Sequence, residues 1–456
     1  MVFHLAASLS VMASVMGQVT SDPLVRPDQW LRGPEDIDAP QLGAAIAMQD
    51  GLMAVSNGAG SVLLYTLDDG IWEYEDRLEP DTPSDGFGIA LATDGTRVVV
   101  LDETSGPMVY RYNFLGSNWV SEIVEDLSGS GKIFTNVDFD GLTTGDDLVV
   151  CYEKTGVNRG FHSLNATVSF GTAIWSLSDT EIVGGTAYDY FGTSVDLDDG
   201  RLAVGNPPTS VVMYEEISAG TWAASGSMIP PIDMPGYFGQ SVSLDGDYLA
   251  IGVPGTESDL VTDASEVAIY ERDTWSTTWA LIERIENPYA GDAFGTRVLL
   301  KDDTLLVSAP GRFTGFTFDP GRLVALRNEG GSWNEIAQFK GISSSSSRLY
   351  YQFGGPGMAF DDQTVVASST GGQSIVNPLD FADGDVCVFN LDLEDSRFWQ
   401  AAEETSIGSV NGWTSASGSR AIFSINNAPG HVVELDGSTE FEQIVIRDDT
   451  VLDLNR

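Results

Sequence analysis

The stretch NVDFDGLTTGDDL (136–148) carries the residues best suited to chemistry. Asn136, Asp138 and Asp140 alternate, Gly141 follows, and Asp146 or its neighbour Asp147 brings a carboxylate back after a longer loop. Oxygen side chains alternating about a glycine turn are the donor set of a hard cation such as calcium, which collects several oxygen ligands. An acidic hairpin with an insertion would be written the same way, so both readings stand at this point.

Other chemistry is sparse. Of the three histidines, His4 falls in an apolar leader, while His162 and His431 lie far apart. No HExxH pair or GxSxG elbow occurs. The SGSGKI run (128–133) lacks the earlier glycine and the hydroxyl residue after Lys132 that a phosphate loop requires. Carboxylates are too numerous for one catalytic pair to stand out, so no catalytic residue is assigned and the chain is read as non-enzymatic. The NAT sequon at 165–167 has meaning only in a eukaryotic secretory pathway.

The elements that would position these groups are strands. The 456 residues include 50 glycines and show no sustained helical periodicity, which points to an all-β chain with many turns. A phrase recurs: FGTSVDLDDGRLAVGNPP (191–208), FGQSVSLDGDYLAIGVP (238–254) and FGTRVLLKDDTLLVSAP (294–310). Anchored on its first residue, the repeat starts at Leu42, Phe87, Phe134, Phe191, Phe238, Phe294 and Phe353. Each start leads to an alternating run, a tight turn, two further apolar runs and a tryptophan that opens a fourth. Those tryptophans are Trp72, Trp119, Trp175, Trp222, Trp279, Trp333 and Trp399. Four short strands recurring seven times predict a seven-bladed β-propeller, with the phenylalanines and tryptophans packed between blades rather than stacked on sugars.

The Phe-Gly pairs at 191–192, 238–239 and 294–295, followed by GNP (205–207), GVP (252–254) and SAP (308–310), resemble the FG-GAP family. That family comprises the repeats of the integrin α-chain propeller and of many exported bacterial proteins. The bacterial variant, with its short acidic turn, is the closer likeness, and the resemblance spans about residues 28–399. It implies a propeller in which calcium loops can sit between the Phe-Gly and Gly-Ala-Pro elements. Here the corresponding turns LDDGR, LDGDY and LKDDT are too short to wrap an ion, so they are expected to be hairpins without metal. Only the copy holding Asn136, Asp138, Asp140 and Asp146 keeps calcium open, with a spacing about two residues away from the family loop.

Sixty-seven acidic residues against 22 basic ones leave a net charge of −45. Nucleic acid or an anionic membrane would need a basic face, which excludes both as partners. The charge fits a solvated acidic surface suited to salt water, where screening weakens self-repulsion, or a surface that gathers cations. Residues 1–17 read as a signal peptide, and no later run is long and apolar enough to span a bilayer. Cys151 and Cys387 fall in non-adjacent units and read as two buried thiols. The strand near Trp30 is expected to complete the last blade. Residues 400–456 change rhythm to short β runs and look like the start of a β-helix-like module, so the chain could be part of a longer surface protein.

The function expected from these features is a secreted or cell-surface binding or scaffold module with an extracellular protein or glycan as partner. Two alternatives are a calcium-dependent, integrin-like adhesion protein and an extracellular polysaccharide lyase or hydrolase built on a propeller.

Overall fold

A computed structural model describes residues 42–391 apart from loop segments, chiefly 114–117, 141–146, 256–264, 312–320, 340–352 and 370–384. It also describes Leu24–Val25, Gln29–Leu31 and five short strands between residues 410 and 453. Residues 1–17, read from sequence as a signal peptide and including His4, lie outside the described residues, as do His431, Trp399 and Asp146.

Alternating apolar residues and glycine-bearing turns fold the repeats into seven antiparallel sheets, and no helix occurs among the described residues. The blades occupy residues 46–78, 87–121, 132–186, 195–228, 241–286, 298–339 and 358–390, numbered 1 to 7 in that order. In blade 4 the strands are Val195–Asp198, Arg201–Asn206, Ser210–Ser218 and Thr221–Met228, each paired with the next. The first strand of every blade touches the first strand of the blade that follows, and that of blade 7 touches that of blade 1. The chain is a closed seven-bladed β-propeller whose first strands form the inner ring. Blade 3 carries one addition, Ile123–Val124, which runs parallel to its outermost strand.

Most of the repeated aromatics are core, and Trp119 and Trp279 pack half-buried against it. Leu42 and the six anchor phenylalanines are all buried, as are Trp72, Trp175, Trp222 and Trp333. Phe238 shows the logic: it packs among Ala203, Val211 and Met213 of blade 4 and Leu249 and Ile251 of blade 5. The first hairpin turn of blade 4 places Asp199 at φ 46° and Gly200 at φ 71°, the pair of positive angles that a two-residue hairpin requires. Cys151 in blade 3 and Cys387 in blade 7 are buried and form no disulfide.

Blade 7 takes its fourth strand from the start of the chain. Gln29, Trp30 and Leu31 pair antiparallel with Val388, Cys387 and Val386. The Gln29 side chain then bridges to blade 1: its Nε2 donates to the Trp72 carbonyl at 2.7 Å, and its Oε1 accepts the Trp72 N–H at 2.9 Å. Leu31 is buried in the same cluster as Leu42, Ile46 and Val386.

In the C-terminal segment, Val410–Thr414 runs antiparallel to Arg420–Ile425, which pairs in parallel with Gln443–Ile446. Val432–Glu434 pairs in parallel with Val451–Asp453. Among the described residues no helix is long and apolar enough to cross a membrane.

Candidate functional site

One edge of each first strand pairs with the second strand of its own blade. The other edge has no strand beside it, so its N–H groups need side-chain or water partners. The acidic turns supply several of them. Asp138 Oδ2 of blade 3 accepts the Leu197 N–H of blade 4 at 2.6 Å, and Asp196 Oδ2 of blade 4 accepts the Leu244 N–H of blade 5 at 2.5 Å. Ser243 Oγ of blade 5 accepts the Leu300 N–H of blade 6 at 2.9 Å. One turn further out, Asp198 accepts the Gly246 N–H at 2.9 Å and Asp245 accepts the Asp302 N–H at 2.7 Å. At the closing boundary Asp361 of blade 7 accepts the Asp50 N–H of blade 1 at 2.6 Å, and it also receives Lys301 from blade 6. Each is a bond from one blade to the next, and those made by ionised carboxylates are charge-assisted.

A second set of ties runs beside the Phe-Gly pairs with donor and acceptor exchanged. Ser194 Oγ donates to the Gly239 carbonyl at 3.0 Å and Ser241 Oγ to the Gly295 carbonyl at 3.1 Å. In blade 7 the serine has moved to the second strand, where Ser368 Oγ donates to the Gly43 carbonyl at 2.6 Å. The position facing each serine is small, because the next blade's backbone lies against it. A Cβ built on Gly205 would stand 2.2 Å from the Gly239 carbonyl oxygen.

Asp138 and Asp196 also hydrogen-bond to each other, which requires one of the two carboxyls to keep its proton. Burial raises both above the ordinary carboxylate range. Asp196 is raised the further, since the negative charge of Asp138 adds to its burial. The Ser243 hydroxyl lies beside Asp196 and favours its charged form, while its oxygen accepts the Leu300 N–H, so polar groups of four blades meet along the inner ring. The neighbouring Cys151 thiol is pushed up to about 12 by burial and by the charge of Asp138.

The structure thus places part of the calcium candidate at the boundary of blades 3 and 4. Asn136 Nδ2 donates to the Thr193 carbonyl at 3.4 Å, while Asp138 is held by Leu197 and Asp196. The side chains of Asp140, Asp146 and Asp147 lie outside those described. Among the described residues no group of three or more His, Cys, Asp or Glu is placed to share a metal ion. Asp196, Asp198, Ser243, Asp245 and Asp361 were not singled out by sequence as site residues. For the first four the signal was the alternation in VDLDD and VSLDG, which puts a polar side chain on every second position of the first strand, and for Asp361 it was the matching last position of that strand in MAFD.

Two further features belong to the same region. A cleft of about 590 Å3 lies between blades 4 and 5, lined by Asp199, Arg201, Glu215, Glu216, Asp247 and Arg272. Its arginines are committed, Arg201 to Asp198 and Arg272 to Glu215, each at 3.1 Å. In blade 3, Lys132 Nζ lies 2.6 Å from His162 Nε2, and the His162 ring stacks on Tyr152. No family model matches the chain, and no curated protein matches it.

Proposed function

We propose that this propeller is an exported, non-enzymatic binding or scaffold module of the FG-GAP type, acting at a bacterial cell surface or outside the cell. The observation that carries this reading is the division of labour between the inner ring and one rim. The repeated polar groups of the ring are engaged in holding blade to blade. The loops that lead into the first strands of blades 4 and 5 instead expose Tyr190, Ile229, Ile232 and Tyr237 on one rim. Exposed apolar groups gathered on loops of a rigid scaffold mark a partner-binding surface. The leader at 1–17 and the acidic composition favour work outside the cell. The parallel pairings of Arg420 with Gln443 and Val432 with Val451, about twenty residues apart, favour a β-helix-like continuation from residue 400 onward.

Calcium-dependent adhesion would need a cage around Asn136, Asp138, Asp140 and Asp146, yet Asp138 already serves Leu197 and Asp196. A hydrolase or lyase would need convergent acids. The Asp138–Asp196 pair is the nearest approach to that, and both members hold backbone amides of the following blade.

An array of extracellular glycans and proteins, probed with and without calcium, tests the reading. The expected result is saturable binding that calcium does not change and that leaves the bound glycan intact. Binding that appears only with calcium would favour adhesion, turnover would favour the enzyme, and no binder at all would refute the module.

A further inference from the structure

Every arginine whose side chain is described pairs with a carboxylate, except one. Arg77, Arg97, Arg111, Arg159, Arg201, Arg272, Arg284, Arg322 and Arg327 each sit within ion-pair distance of an Asp or Glu. Arg297 does not, among the described residues, although the chain carries 67 acids. It lies immediately before the first strand of blade 6, and its Nε donates to the Gly355 carbonyl of blade 7 at 2.8 Å. The side chain is exposed to solvent. Yet the surrounding protein pulls its guanidinium below the ordinary arginine value, and no neighbouring carboxylate acts to raise it. The group is thus open to solvent while packed beside protein, on the segment that enters the first strand of blade 6 and against the blade that follows.

The fold itself does not ask for arginine here. The equivalent residues are Ser194 in blade 4, Ser241 in blade 5 and Ala45 in blade 1, the last facing Ser56 on the second strand. Blade 6 already has its second-strand serine, Ser308, whose Oγ accepts the Arg297 N–H at 2.9 Å. The bond to Gly355 uses Nε alone and leaves the two Nη groups for another partner. No side chain of residue 355 crowds them, since Gly355 follows its Phe-Gly pair where Thr193, Gln240 and Thr296 follow theirs.

We propose that Arg297 recognises the carboxylate of an acidic sugar at the boundary of blades 6 and 7, where the first strand of blade 6 begins. One guanidinium fork matches one carboxylate. A net charge of −45 opposes polyanions such as phosphate or sulfate esters far more than a single negative charge. Tyr237 is exposed on the loop that leads into the first strand of blade 5 and offers a flat face on which a sugar ring packs, whereas the Tyr190 ring already carries the Arg159 guanidinium. The proposal rests on the binding-module reading and names its ligand class.

Titration of the full chain at constant ionic strength with glucuronate, sulfate and an acetylated, amidated aspartate tests it, in wild type, Arg297→Ala and Arg297→Lys. Arg297→Ala reproduces the Ala45–Ser56 combination of blade 1, and Arg297→Lys keeps the charge without the fork should the alanine variant fold poorly. Saturable glucuronate binding is expected in wild type, weaker by about tenfold or more in both variants, with little response to sulfate. Equal binding in wild type and either folded variant, or no saturable glucuronate binding, would overturn the proposal. Aspartate binding in place of glucuronate would overturn the sugar assignment. An array ligand bound equally by wild type and Arg297→Ala would overturn this site while leaving the module intact. An array without binders would refute the module, while the titration would still decide for Arg297.

Discussion

Removing residues 18–34 is expected to lower the thermal midpoint sharply, because it takes the outermost strand from blade 7 and the clasp from blade 1. The three-residue pairing of Gln29–Leu31 with Val386–Val388 disappears, and with it both hydrogen bonds between the Gln29 side chain and the Trp72 backbone. Leu31 is 2% exposed, so cutting it back to alanine alone should cost about 2–5 kcal/mol. The deletion should exceed that, since it also leaves the outer edge of Asp385–Asn390 unpaired. Thermal and urea unfolding of the two chains measure the difference, and a synthetic peptide of residues 18–34 added back should recover part of it. An unchanged midpoint would mean that the ring does not close through this strand.

The second large effect is expected at Gly252. A Cβ there would lie 2.1 Å from the Gly295 carbonyl oxygen and 2.3 Å from Ser241 Oγ. The first of these is backbone of the next blade and belongs to a ring that cannot widen at one boundary alone. Gly252→Ala should therefore lose about 3 kcal/mol, the upper end of ordinary overpacking. Gly226→Ala supplies the control. That glycine sits in the outermost strand of blade 4, a Cβ added to it would meet nothing within 4 Å, and its φ is not positive. Its replacement should change stability by no more than about 0.5 kcal/mol. Urea midpoints for both variants decide the point, and equal losses would remove the argument from close approach.

The parts of this architecture written in sequence are those that each repeat encodes within itself. Phe238, its glycine, the alternation SVSLD and the later Trp279 lie within one unit of chain, so a search for self-similarity finds blade, strand count and core aromatics together. Closure was legible for the same reason, since DQWLRGPEDIDAPQLG around Trp30 copies the end of a repeat. The partners of the acidic turns were not. Asp196 bonds to the amide of Leu244, 48 positions along the chain, and only the placement of one blade against the next brings them together. Hence Asp198 and Asp245 read in sequence only as parts of hairpins without metal, and their service as acceptors for Gly246 and Asp302 is visible only between blades. The exchange of serine between strands was hidden as well. Ser194 with Gly205 and Gly357 with Ser368 fill one kind of boundary from opposite sides, which a reading of one copy at a time cannot see. Against that pattern the arginine in FGTR at 294–297 is the exception with a chemistry of its own.

The claim that the acidic turns tie blade to blade, rather than cage a metal, is tested most directly by thermal unfolding of wild type and Asp196→Asn from the ordinary carboxylate range upward in pH, with chelator or with about 1 mM calcium. Both carboxyls of the Asp138–Asp196 pair are raised in the folded state, so folding takes up a proton. The pair's contribution is fully present below the ordinary carboxylate range and is lost as pH rises through the raised values. The asparagine can donate to Asp138 and accept from Leu244 without a shared proton. The account predicts that the wild-type midpoint falls relative to Asp196→Asn as pH rises, identically with chelator and with calcium. A wild-type midpoint that calcium lifts, with no such rise in Asp196→Asn, would contradict it.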